Sequence, residues 1–128
     1  MKFRIGTIII VGVSLGGCVS PPNIPRAQPI ALSATQQASI QAGVKAVLKA
    51  PQSATFGTIK AGILPQGETL VCGMVNVKNS FGGYTGMEPF SGVLKSDGSY
   101  ASVAIGGDDI VTKSIFQACD RYGLGLAI

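Results

Sequence analysis

The sequence predicts an α+β domain: an antiparallel sheet of about four strands, with an N-terminal and a C-terminal helix packed on it. Three observations carry that prediction. Apolar residues recur at helical spacing near the start and again near the end of the folded part. Between them lie short apolar runs rich in β-branched and aromatic residues. Each run is bounded by a glycine, proline or aspartate turn signal. Helices that flank a block of strands, rather than alternating with them, indicate α+β organisation. A cleaved signal peptide and a Pro-rich tether precede the domain, so the chain divides into residues 1–17, 18–33 and 34–128.

The leader has three parts. Lys2 and Arg4 give a positive start, and residues 5–15 are an uncharged apolar run. That run is shorter than the roughly 20 residues a spanning helix needs. Leu15-Gly16-Gly17-Cys18 then closes it with small residues before a cysteine. This segment resembles the lipobox of bacterial lipoproteins. The resemblance implies acylation of the Cys18 sulfur, cleavage before Cys18 and acylation of the new amino terminus. Two or more acyl chains make membrane anchoring stable, whereas one holds only marginally. Val19 follows Cys18, which in that class resembles the signal for sorting to the outer membrane, facing the periplasm. Residues 19–33 carry Pro21, Pro22, Pro25 and Pro29 among polar residues and show no apolar periodicity. They read as an extended tether reaching up to about 45 Å, at roughly 3.1 Å per residue.

Ser33 caps the first helix, which buries Ile40, Val44, Val47 and Leu48 and stops before Pro51. Residues 54–64 form a strand with Phe56, Ile59 and Ile63 as core candidates, and Pro65-Gln66-Gly67 turns the chain. Residues 68–77 are apolar on both faces, Leu70, Cys72 and Met74 on one and Val71, Val75 and Val77 on the other, which marks a central strand. A polar, glycine-rich tip at 78–83 leads into residues 84–95, where Pro89 points to an edge strand or a bulge. Asp97-Gly98 predicts a hairpin into residues 100–105. Asp108 or Asp109 caps the last helix, whose face is Val111, Ile115, Ala118, Cys119 and Tyr122, and Gly123 ends it. Both helices are expected on one face of the sheet.

Composition narrows the function classes. Charged residues are only 12% of the chain, against the roughly 25% usual for globular proteins. The net charge is +4, but Lys2 and Arg4 belong to the leader and the other lysines are scattered, so no basic stripe for nucleic acid exists. Histidine is absent, which removes the commonest general base and the commonest metal ligand. No cofactor or metal is implied. With Cys18 assigned to lipid, Cys72 and Cys119 remain, each on the apolar face of its element. An exported protein permits a disulfide between them; two buried free thiols are the alternative.

No constellation specifies a reaction, and the chain reads as non-enzymatic. The glycines of residues 81–86 lie between two strands, with no G-K-S/T following, so they serve a hairpin rather than a phosphate loop. Asp108 and Asp109 sit where a cap is required, and Ser80 has only Lys78 nearby as a partner. The surface best suited to binding is the tip: Asn76, Lys78, Asn79, Phe81 and Tyr84 place amide, ammonium and aromatic groups around glycines. The competing reading folds Phe81 and Tyr84 back as a small core, with Asn76 and Asn79 bonding the turn backbone.

The run VCG-x-VN-x-KNSFGGYTG-x-x-PF, a Pro51-x-Ser53-Ala54-x-Phe56 pattern and the late Cys119 after Phe116 resemble a group of small exported bacterial proteins of unknown function. The resemblance spans roughly residues 44–119, supports pairing Cys72 with Cys119, and implies no catalytic activity. Where that group has a tryptophan in the last helix, Phe116 stands here and is expected to substitute for it in the core. The sequence therefore leads to an envelope lipoprotein that binds or scaffolds an envelope protein or the cell wall. The alternative is an inhibitor or exclusion factor directed at an envelope hydrolase or a phage function.

Overall fold

A computed structural model describes residue 12, residues 16–18 and residues 25–127. The rest of the expected leader and of the proline-rich segment lies outside the described residues. In chain order the elements are β1 (Gln28–Ile30), α1 (Ala34–Lys45), a 3-10 turn (Pro51–Ser53), β2 (Thr55–Ile63), β3 (Thr69–Lys78), β4 (Tyr84–Leu94), β5 (Tyr100–Ile105) and α2 (Asp109–Arg121). The five strands form one antiparallel sheet in sequence order, so β3 is central. The α+β class is as the sequence predicts. The fifth strand is β1, drawn from the segment read as tether. Its three residues pair with residues 61–63 of β2, too short a stretch to leave an apolar pattern.

The helices do not share a face; they lie on opposite sides of the sheet. Successive strand residues point to opposite faces. One core cluster joins Ile40 and Val44 of α1 to Val71 and Val75 of β3, with Phe90 and Leu94 of β4. The other joins Ile115 and Cys119 of α2 to Cys72 of β3, with Ala27, Leu64 and Leu124. The physical reason was already visible in β3. A strand apolar on both faces must be covered on both. The Cys72–Cys119 disulfide, both residues fully buried, crosses from β3 to α2 and closes the second layer. Its half-cystines are 47 residues apart, for which the chain-entropy model gives roughly 4 kcal/mol.

The helix ends follow their local chemistry. Ser33 and Gln36 form a reciprocal capping box on α1, and Asp108 accepts from the Ile110 and Val111 amides at the start of α2. α1 stops at Lys45, earlier than Pro51, which leaves Val47 60% exposed beyond its end. Ile63, expected in the core, is 39% exposed at the far end of β2. In α2, Ile115 and Cys119 are buried while Val111 and Ala118 stay exposed, because α2 has the sheet on one side only. Tail residue Leu124 is buried, extending the second cluster over Gly62 of β2.

Pro89 lies inside β4, one residue past the last β4–β5 pair, Phe90↔Ile105, and the β4–β5 register shifts between Ser91 and Gly92, so the expected irregularity lies close to it. It faces Met74 of β3, and on the other side its carbonyl accepts from Gly106, one residue past the end of β5. A strand residue's N–H and C=O point the same way, so the missing donor faces the place where β5 leaves the sheet. The Asp97-Gly98 hairpin forms as expected; hydrogen bonds from the Ser99 hydroxyl and amide hold the Asp97 carboxyl below its usual range. Tyr100 packs against Gly43 of α1, and burial pushes its hydroxyl up to about 12.

One cross-strand pair shapes the α1 side of the sheet. Gly73 faces Phe90, and the Phe90 ring lies over the glycine, where a Cβ would collide with its Cζ. Phe90 also meets Phe56 edge-on, ring centroids 6.0 Å apart. Replacing Gly73 with alanine should therefore displace a fully buried ring at a cost of about 1–3 kcal/mol. Urea unfolding of Gly73→Ala should show a lower midpoint at unchanged slope; an unshifted midpoint would mean that Phe90 is seated elsewhere.

Candidate functional site

The β3–β4 hairpin runs past the last β4–β5 pair and ends in residues 79–83. Its turn is built by one side chain. Asn79 Oδ1 accepts from the amides of Phe81 at 2.9 Å and Gly83 at 3.1 Å, while the backbone of Asn79 bonds Gly83 and Gly82. Gly82 takes φ 81°, a left-handed conformation open to glycine and costly for a branched residue. A side chain that satisfies two turn amides fixes the loop without packing against it. Asn79 therefore does the structural work, and Phe81 is left free of it.

Phe81 is 97% exposed. It does not fold back as part of a small core. Tyr84 is half exposed, and its hydroxyl donates to the Ser53 carbonyl at 3.0 Å. The Lys78 ammonium sits 5.6 Å from the Tyr84 ring centroid, a cation–π contact at the hairpin base. The two expectations for the tip thus divide by residue. Asn79 bonds the turn, Tyr84 braces the hairpin, and Phe81 projects into solvent. Asn76 is different again. It is half-buried where β2 and β4 flank β3, and its Oδ1 is buried with no hydrogen-bond partner among the described residues.

Ser53 is the residue that sequence reasoning passed over. Its Oγ donates to the Ala50 carbonyl at 2.7 Å and accepts from the Lys78 amide at 3.0 Å, while its carbonyl holds Tyr84. The Pro51–Ser53 turn is thus fastened to both strands of the hairpin at its base. The signal was present in the Pro-x-Ser spacing, but the contact spans 25 residues in sequence and no local pattern announces it.

Beside the hairpin base, two hollows of about 280 and 710 Å³ lie between the end of α1, β3 and the Gly106–Gly107 bend. Lys49 and Lys78 line both; Val75, Val77, Leu48 and Ile105 line the first. Ser80 and Lys78 both line the second. Asp108 Oδ1 is occupied by its two cap bonds, so it acts as a cap here. Phe116 is half-buried and lines a separate hollow of about 510 Å³ between α2 and the tail, rather than filling the core. Among the described residues no three His, Cys, Asp or Glu side chains gather as metal ligands, and no helix is long and apolar enough to cross a membrane. Cys18 is exposed with a free thiol.

Comparison with protein-family models, curated proteins and solved structures returns no match.

The geometry separates the two roles in one loop. Asn79→Ala should speed hydrogen exchange at the Phe81 and Gly83 amides while changing global stability by about 1 kcal/mol or less. Phe81→Ala should leave both within about 0.5 kcal/mol of the parent, as expected for an exposed position. Equal disturbance by the two substitutions would contradict the assignment.

Proposed function

We propose that this chain is a non-enzymatic cell-envelope lipoprotein, anchored through Cys18, whose domain binds or scaffolds a partner on the periplasmic side. The anchoring half rests on the leader: a positive start, a short apolar run and Leu15-Gly16-Gly17-Cys18. The exposed Cys18 lies ahead of the folded domain, where acylation would leave the core untouched. Outer-membrane placement follows from Val19 after the lipidated cysteine.

The binding half rests on a single observation, the fully exposed Phe81 on a braced hairpin. Burying a phenylalanine ring against a partner contributes about 1.5–3 kcal/mol. A loop already fixed by Asn79 loses little further entropy on binding. Such a loop also suits insertion into a cleft, which keeps the inhibitor or exclusion-factor reading as a second form of the same surface. Asn79, Ser53 and Asp108 are engaged in turn, brace and cap bonds, which favours recognition over catalysis.

Substituting Cys18 with serine should move the protein from the membrane fraction to the soluble periplasmic fraction. Membrane association that survives the substitution would remove the lipid-anchor reading.

A further inference from the structure

The register fixes which end of the domain the tether enters. Gln28, the first residue of β1, pairs with Ile63, the last of β2, and the Ala27 amide bonds the Tyr122 carbonyl at the end of α2. The chain therefore enters beside the β2–β3 turn. The hairpin tip lies at the opposite end of β3, whose ten residues at roughly 3.3 Å each span about 30 Å.

Exposed apolar side chains are distributed unevenly between these ends. Phe81 and Tyr84 lie at the tip, Met87 and Val47 lie beside it on opposite faces of the sheet, Ile110 and Val111 open α2, and Val103 lies midway along β5; all are exposed. Beside the tether entry the only such residue among those described is Ile63. Lys49 and Lys78 also belong to the tip end, where they line the two adjoining hollows, the smaller of which Glu88 lines as well. Clusters of exposed apolar groups rimmed by polar ones mark contact surfaces.

We infer that the tether-distal end is a protein-docking surface. Its partner is a protein facing the anchored membrane, with an apolar socket for Phe81 and carboxylates opposite Lys49 and Lys78. The inference rests on the lipid-anchor reading above, which supplies the direction in which the distal end points. Aromatic and cationic groups would also suit an anionic lipid surface. The position of the tip, across the whole length of β3 from the tether entry, favours the protein.

Two measurements on the full lipidated chain decide this. Single cysteines are placed by Phe81→Cys or Gln66→Cys, the latter in the tether-end turn; acylation of Cys18 and the Cys72–Cys119 bond leave the new thiol as the labelling site. The donor-labelled proteins are reconstituted in phosphatidylethanolamine–phosphatidylglycerol vesicles that contain an acceptor-labelled lipid. Energy transfer should be stronger from position 66 than from position 81; equal or stronger transfer from 81 would overturn the orientation. A chain that fails to float with the vesicles removes the anchor reading, and the orientation with it, before any transfer is read. In cells, a photo-crosslinking residue at position 81 should form a discrete protein adduct that is lost when Lys49→Glu and Lys78→Glu are added. Adducts to lipid alone, adducts indifferent to that charge reversal, or the absence of any adduct would overturn the docking surface.

Discussion

Strand β3 sets the terms for the rest of the molecule. Val71 and Val75 face one way and Cys72 and Met74 the other, and all four are buried. A surface of that kind exposed to water on either side would cost about 25 cal/mol for each Å² left uncovered. The chain answers with a helix on each face, α1 over the valines and α2 over the cysteine. The second layer is thin. It consists of one helix, a short tail and Ala27, and a covalent bond from Cys72 to Cys119 holds it to the sheet. A domain of this size buries a smaller fraction of its surface than a large one, so a crosslink of this span forms a substantial part of its stability.

The same strand carries the hairpin past the end of β5. β3 and β4 stay paired from Thr69↔Leu94 to Lys78↔Tyr84, beyond the last residue of β5. An isolated two-stranded ribbon is marginally stable. Here the Pro51–Ser53 turn braces its base, through the bonds from the Lys78 amide and the Tyr84 hydroxyl to Ser53. The tip beyond is closed by Asn79 alone. A loop stabilised by hydrogen bonds within itself needs no hydrophobic cover, which is why Phe81 can stand in solvent without the hairpin losing its shape. Rigidity at the base and exposure at the tip are thus two results of one construction.

Much of the fold was legible because its signals are local. Ser33, Asp108, Asp97-Gly98 and Pro65-Gln66-Gly67 act within a few residues of themselves, and each does what its chemistry predicts. The double-faced apolar pattern of β3 marked it as central, and the two cysteines beyond Cys18 pair as the resemblance implied. What failed was long-range. The same pattern in β3 required cover on both faces, yet nothing local says which face each helix takes. β1 is three residues in a proline-bearing stretch, and only its pairing with β2 makes it a strand. Pro89 was read as an edge or a bulge from its own missing donor; a register shift does lie between Ser91 and Gly92, but that β5 stops one residue short of Pro89 was not legible. In the site, Asn79 and Phe81 were both legible as tip residues. Their division of labour was not, because it depends on where one carbonyl oxygen points.

The central claim is that three cysteines divide between two tasks, with Cys18 tying the chain to a membrane and Cys72–Cys119 tying α2 to the central strand. Intact-mass spectrometry of protein extracted from membranes, alkylated without reductant, tests both at once. The account predicts a chain that begins at Cys18, carries acyl chains, is lighter by the two hydrogens lost when Cys72 and Cys119 form their disulfide, and takes up no alkylating reagent. A full-length chain with alkylated thiols and no lipid would contradict it.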